Sequence, residues 1–377
     1  MAGIYIHIPF CKSKCYYCDF YSSQNTDLIT NFIPTLLTEI NNKTDYLTSD
    51  NTINTIYFGG GTPSVFSAKQ LETILQKLHS TYNINPKSEI TIELNPDDIT
   101  YEYLKNLKQI GFNRLSIGLQ SFNNDMLILM NRRHNAKQAI NSVEIAKKLD
   151  FKNISVDLIY GLPGTNVNNL KIELQNIIDL DIQHISAYHL TYEENTVFNH
   201  YLKKGKLREL PDTESQKQFV YLTKFFEDND FEQYEISNFA KNELYSKHNS
   251  NYWFGEEYIG FGPSAHSYNK HSRQWNIANV KKYIANIEND SIFYNKEVLT
   301  LNDKYNEYLL TSLRTKWGVN LDIINELFGK SYLAYFMSVV DKYVKLNYIS
   351  KEKNIVHLQK KYWFISDKVI SELIKII

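Results

Sequence analysis

The sequence predicts an α/β fold: a partial (β/α)6 barrel followed by a smaller, mainly helical C-terminal domain. Three observations carry this expectation. Short apolar strand patterns alternate with amphipathic helical patterns through the first two-thirds of the chain. Six strand–helix units can be counted, too few for a full eightfold barrel. After about residue 195 the alternation breaks, and from about Leu301 the pattern turns helical.

Taken in order, Gly3 to Ile8 alternates apolar with other residues and reads as the first strand. Leu28, Ile29, Phe32, Leu36, Leu37 and Ile40 then share one helical face, with Pro34 placed to kink it. Asn54 to Phe58 is the second strand and runs into Gly59-Gly60-Gly61-Thr62-Pro63. Ser67 and Gln70 form a capping box for a helix carrying Leu71, Ile74, Leu75 and Leu78. Glu89 to Leu94 is the third strand, ended by Asn95-Pro96. Thr100 caps a helix through Leu104, Leu107 and Ile110, and Gly111 stops it. Arg114 to Leu119 is the fourth strand, and Asn135 opens a helix to about Leu149. Asn153 to Tyr160 is the fifth strand, closed by Gly161-Leu-Pro-Gly164. Thr165 opens the next helix, and His184 to Leu190 is the sixth strand. Units linked in this way imply a parallel sheet with right-handed crossovers.

Beyond it, Ser215 to Asp228 reads as helical and Tyr234 to Phe239 as a further strand at the barrel edge. Ile355 to Leu358 is strand-like, and a last helix starts at Asp367. The expected division is a barrel over 1–240, a connecting region over 241–300 and a C-terminal domain over 301–377.

The totals exclude several classes. A net charge of -1 over 377 residues leaves no electrostatic footprint for nucleic acid. No run approaches membrane-spanning length, and the start lacks the basic and apolar regions of a signal peptide. The three cysteines leave nothing for a disulfide framework, so a reducing, cytoplasmic setting is expected.

Those cysteines are the chemical centre. Cys11, Cys15 and Cys18 fall within eight residues as C-x3-C-x2-C. Thiolates select zinc, copper(I) or iron–sulfur clusters. Three of them suit three corners of a 4Fe–4S cluster, leaving one iron open to a small chelating ligand. A structural zinc site would need a fourth donor. His7 is the nearest histidine, but Pro9 and the extended run of Ile4, Ile6 and Ile8 make it a poor partner.

The motif C-x3-C-x-Y-C after an N-terminal strand resembles the radical SAM superfamily. The flanking Ile-His-Ile-Pro-Phe-Cys and Tyr-Cys-Asp-Phe resemble its branch of oxygen-independent coproporphyrinogen III oxidases and HemW-type heme chaperones. The resemblance implies the barrel fold, a winged-helix-like C-terminal domain, and S-adenosylmethionine held on the open iron. It implies reductive cleavage of a carbon–sulfur bond to a 5′-deoxyadenosyl radical, with no side chain needed as general acid or base.

Ligand sites in parallel barrels lie at the C-terminal strand ends, and the candidates cluster there. The Gly59–Gly61 run could grip the methionine amino and carboxylate groups with its backbone N–H groups, or be a mere tight turn. By resemblance, Tyr5, Gly60, Gly61, Thr62 and Glu93 of Glu-Leu-Asn-Pro contact the cofactor. Gln120, Arg132 and Asp157 match positions that line a second S-adenosylmethionine site in the oxidase, and here serve one cofactor or two. Arg132 could equally be a surface cation at a helix end.

Three features separate the branch members. The oxidase has a fourth cysteine where this chain has Phe20, and an N-terminal arm that is not expected ahead of Tyr5. His248-Asn249-Ser-Asn-Tyr252-Trp253 matches the H-N-x-x-Y-W motif of the chaperones. Histidine is a common heme ligand, and Tyr and Trp offer flat apolar faces. The same residues could instead hydrogen-bond a loop and fill core; His189 and His266 stand under the same two readings. The resemblance thus implies a heme chaperone, with the oxidase as the alternative. Its implied partners are heme, an electron donor, acceptor hemoproteins among membrane respiratory enzymes reached at the inner membrane, and a second copy of itself.

Overall fold

The computed structural model describes residues 2–47 and 52–375. Its centre is β1 (Ala2–Ile8), buried on both faces, as its isoleucines require. An inner parallel strand is covered on both sides and so reads as a nearly unbroken apolar run. Around it lie β2 (Ile53–Gly60), β3 (Ile84–Leu94), β4 (Arg114–Gln120), β5 (Asn153–Tyr160) and β6 (His184–His189), all parallel. The intervening helices are α1 (Ile29–Asn42), α2 (Ala68–Thr81), α3 (Tyr101–Gln109), a short α4 (Asn124–Leu129), α5 (Ala136–Lys148) and α6 (Val167–Asp179). The expected six units are present, and α1 continues past Pro34 to Asn42.

The caps explain where the helices start. Ser67 and Gln70 form the expected capping box on α2, and Thr100 Oγ1 accepts from Tyr103 N on α3. One expectation fails: Asn166, not Thr165, caps α6. The Thr165 hydroxyl instead donates to Leu162 O at 2.7 Å, closing the preceding turn.

After α7 (Val197–Lys203) and α8 (Asp212–Glu227) the chain makes β7 (Glu232–Gln233) and β8 (Asn238–Ala240). The single strand expected over Tyr234 to Phe239 is therefore two short antiparallel strands around a turn. Gln233 Nε2 donates to Ile236 O at 2.9 Å within that turn. β8 pairs antiparallel with β6, and β7 then forms the edge of the sheet on that side.

Residues 241–300, expected to connect two domains, carry α9 (Lys247–Trp253), β9 (Glu257–Phe261), β10 (His266–Tyr268), β11 (Ser272–Asn276), α10 (Val280–Glu288) and β12 (Tyr294–Val298). β9 pairs in parallel with β1, and β10 to β12 continue outward. The result is one open sheet in the order β12-β11-β10-β9-β1-β2-β3-β4-β5-β6-β8-β7.

The C-terminal part is smaller and more helical. It holds α11 (Leu301–Ser312), β13 (Val319–Asn320), α12 (Leu321–Phe328), α13 (Lys330–Lys345), β14 (Ile349–Glu352), β15 (Ile355–Leu358) and α14 (Ser366–Leu373). A 3-10 turn, Lys360–Ile365, brings Phe364 against Phe219 of α8 and His189 of β6, with ring centroids 5.6 Å apart in both pairs. No helix among the described residues is long and apolar enough to cross a membrane.

Candidate functional site

At the C-terminal ends of the parallel strands lies a cavity of about 1160 Å³. Single small-molecule sites span roughly 300–1,000 Å³, and this one lies just above that range. Every cysteine lines it, as do Tyr5, Gly60, Gly61, Thr62, Glu93, Gln120, Arg132 and Asp157. Asn249, Tyr252 and Trp253 reach it too, but His248 does not.

The cysteine loop is tied down on both sides. Cys11 N donates to Ser23 O at 3.0 Å, and Ser23 N to Pro9 O at 2.6 Å. Further along, Tyr16 N donates to Met130 O at 3.1 Å, and Phe198 N to Tyr16 O at 2.9 Å. Tyr16 and Tyr17 pack on a separate apolar cluster that includes Leu127, Met130 and Phe198. Burial pushes the Cys11 thiol up, partly offset by hydrogen bonds from Thr62 and Ser22; it pushes Cys18 up to about 11.

A tetrahedral zinc site needs donors converging on one ion. Among the described residues no three His, Cys, Asp or Glu side chains do so. His7 is engaged at both nitrogens, with Tyr5 OH 3.2 Å from Nδ1 and Tyr21 O 3.0 Å from Nε2. A cubane asks for something different: each thiolate binds its own iron, so the sulfurs must share a cavity but not a point. The three cysteines fit that requirement.

The glycine run lines the cavity, but its amides are spoken for. Gly60 N donates to Glu93 Oε2 at 3.2 Å, Gly61 N to Ile8 O at 2.8 Å and Thr62 N to Phe10 O at 2.8 Å. These three N–H groups are therefore met within the protein, while Gly60 and Gly61 form part of the cavity wall. The glycines answer to packing. Gly60 has φ +107°, and a Cβ there would sit 2.6 Å from the His7 ring; one at Gly61 would sit 2.7 Å from Phe10 O.

Glu93 enters between these pieces. Its Oε1 accepts from Tyr57 OH at 2.8 Å. Burial pushes its carboxyl up to about 7; Asp157 adds to this, while Tyr57, Gly60 and Arg114 oppose it. Asp157 is pushed up to about 6 by burial, against hydrogen bonds from Ser186 and Ser116 and the charges of Arg114 and Arg132. Gln120 ends β4 at φ 69°, a left-handed conformation that costs about 1–2 kcal/mol outside glycine. Gly118 leaves room for it: a Cβ there would lie 2.9 Å from Gln120 Nε2.

Arg132 is not a surface cation. Its Nη1 donates to Cys15 Sγ at 3.3 Å and to Tyr17 OH at 3.4 Å, and its Nη2 to Gly118 O at 2.7 Å and to Asn95 Oδ1. The guanidinium thus links the cysteine loop to β3 and β4.

His248 is locked beneath the site. Thr55 Oγ1 lies 2.9 Å from its Nδ1 and Tyr252 OH 2.8 Å from its Nε2, and its ring stacks on Tyr57 at 5.1 Å. Glu89 accepts from Lys247 N and His248 N, anchoring the start of α9. Burial pushes His248 down to about 3. Of the two readings of this motif, the hydrogen-bonded core histidine is the one observed. Tyr252 and Trp253 are only partly buried and form cavity wall.

Sequence reasoning missed the far wall. Trp363, Phe364, Arg314 and Asp367 from the C-terminal part line the same cavity, with Glu235 and Asn238 from the β7–β8 hairpin. His189 stands among them, edge-on to Tyr160 and Phe364, with Nε2 buried and lacking a hydrogen-bond partner. His189 is the one member of this wall that the sequence singles out as a candidate, as it does His266.

Residues 5–174 match the model of the Radical SAM superfamily. The chain is 36% identical over 362 residues to the heme chaperone HemW of Bacillus subtilis (strain 168), covering 95% of each. It is 32% identical over 371 residues to the heme chaperone HemW of Lactococcus lactis subsp. lactis (strain IL1403), covering 98% of this chain and 96% of the relative. Its fold overlays coproporphyrinogen III oxidase (HemN) from Escherichia coli with a TM-score of 0.86 at 20% identity, over 99% of this chain and 90% of that one.

Proposed function

Since the chain belongs to the HemW family of the radical SAM superfamily, we propose that it is a heme chaperone that also carries a 4Fe–4S cluster and S-adenosylmethionine. Cys11, Cys15 and Cys18 would hold the cluster. Tyr5, Glu93, Gln120 and Asp157 would line the S-adenosylmethionine site, with Thr62 Oγ1 steadying Cys11 Sγ at 3.4 Å and Arg132 steadying Cys15. When bound, that pair supplies one-electron reductive chemistry; the chain positions it and excludes water. The observation that carries the reading is the single cavity, shared by the cysteines, the polar strand ends and an aromatic wall.

Heme would lie against Tyr252, Trp253 and Phe364. With both nitrogens of His248 occupied, His189 is the histidine on this cavity wall. Delivery to acceptor hemoproteins, an electron donor and pairing with a second copy belong to the same proposal.

Coproporphyrinogen oxidase activity is not part of it. The likeness to the oxidase is one of fold, and Phe20 stands where the oxidase resemblance puts a fourth cysteine. Anaerobic incubation of the reconstituted protein with coproporphyrinogen III and S-adenosylmethionine tests this. We expect stoichiometric heme binding and no protoporphyrinogen; steady formation of protoporphyrinogen would overturn the chaperone reading.

A further inference from the structure

The cavity has a second polar region that the cofactor reading leaves unused. It lies on the β6–β8 side, where Glu235, Asn238, Arg314, Asp367 and Lys368 form the wall. Arg314 lies two residues past the end of α11 and precedes Thr315, whose backbone bridges Glu235. Lys316 N then donates to Tyr234 O at 3.0 Å. The arginine is therefore pinned to the barrel edge.

Its side chain is 24% exposed, and one terminal nitrogen donates to Asp367 Oδ1. Its Nε is buried without a hydrogen-bond partner. The Nε and Nη2 edge of a guanidinium matches a carboxylate side-on, and Nη2 is the nitrogen that Asp367 holds. Asp367 is 77% exposed, so its present pairing is weak and readily exchanged. Lys368 is exposed beside it and makes no close ion pair among the described residues.

We propose that Arg314 and Lys368 form a carboxylate-binding subsite that takes a propionate side chain of a flat tetrapyrrole. Asp367 occupies the subsite until that ligand arrives. This rests on the heme reading above and names the group by which the ligand is recognised. The apolar body has its surface close by, in Phe219, Trp363, Phe364 and Ile365 of the same cavity. Glu235 is the acidic residue on the barrel side that the Arg314 charge acts on most directly here, while Glu93, Asp157 and Glu193 line the same cavity. Burial pushes Glu235 up to about 7, against hydrogen bonds from Ser237 and Asn238 and the charge of Arg314. Near neutrality it can therefore present a proton to an incoming carboxylate instead of repelling it.

The test titrates the full chain with hemin and with hemin dimethyl ester, whose carboxylates are masked. Wild type, Arg314→Gln and Asp367→Asn are compared by absorbance. Arg314→Gln is expected to weaken hemin binding about tenfold, the scale of one charge-assisted pair, and to leave the ester unchanged. Asp367→Asn, which removes the internal competitor, is expected to tighten hemin several-fold and leave the ester alone. Equal losses for both ligands in Arg314→Gln, or no change for hemin, overturn the subsite. Should that variant fail to fold, unchanged hemin affinity in Asp367→Asn overturns it. A wild type that binds neither ligand sinks the heme reading itself, a distinguishable failure.

Discussion

His248 Nδ1 lies 2.9 Å from Thr55 Oγ1, tying α9 to the second barrel strand from within the core. Tyr252 OH closes the other side of the ring at 2.8 Å. A histidine held this way supports the wall without meeting the ligand. Replacing it with alanine takes a partner from two enclosed hydroxyls and leaves a small void, a loss of about 2–4 kcal/mol. We expect His248→Ala to lower the urea midpoint of the apo protein while the heme spectrum keeps its axial-ligand bands. His189→Ala should do the reverse. Loss of those bands in His248→Ala, with stability unchanged, would restore His248 as the ligand.

The two histidines show where sequence reasoning stops. Strand order, helix caps and the cysteine loop follow from local pattern: Ile4, Ile6 and Ile8 mark an inner strand, and Ser67 with Gln70 marks a helix start. Which way His248 points depends on how α9 docks against β1 and β2, a long-range contact that spacing does not encode. The same holds for β9, which falls in the stretch expected only to connect two domains and yet pairs with β1. Phe364 and Arg314 complete the cavity from more than a hundred residues beyond the sixth strand, and no local pattern near them announces it. The glycine run was legible as a close approach; that the His7 ring and the Phe10 backbone press on it was not.

The cysteine loop gives the next prediction. Cys15 and Cys18 are only partly buried, so single alanine replacements there should change apo stability by less than about 1 kcal/mol. After anaerobic reconstitution, wild type should hold about four iron and four sulfide per chain, and each cysteine variant should lose most of both. Iron and sulfide retained at wild-type levels in any of the three variants would remove that residue from the ligand set. Zinc in their place would reverse the choice made here between the two metal chemistries.

Arg132 reaches Cys15 Sγ at 3.3 Å. Hydrogen bonds and positive charge at a ligand sulfur favour the reduced, more negative cluster and raise its potential. Arg132→Gln should therefore lower the potential by roughly 50 mV, the one-electron equivalent of about 1 kcal/mol. A redox titration followed by electron paramagnetic resonance reads this directly. An unchanged potential, with S-adenosylmethionine affinity reduced, would mean that the arginine serves the nucleotide alone.

Glu93 supplies a pH dependence whose sign can be worked out. Its carboxyl is pushed up to about 7 when folded, against an ordinary value of 4.5, chiefly because burial disfavours the charge. Protonation therefore favours the folded apo protein, and this contribution to stability grows as pH falls from about 7 to 4.5. Binding runs the other way, since the N–H groups of the cofactor's amino nitrogen are accepted by the carboxylate better than by the acid. Affinity for S-adenosylmethionine should fall roughly tenfold between pH 7.5 and 5.5. Glu93→Gln should bind more weakly at pH 7.5 and lose most of that slope. It should also be the more stable apo protein at pH 8, by up to roughly 2–3 kcal/mol, with the advantage shrinking as the medium is acidified. Calorimetric titration over this range, paired with thermal unfolding of both proteins, separates the two effects. A wild-type affinity that does not change with pH would remove Glu93 from contact with the amino group.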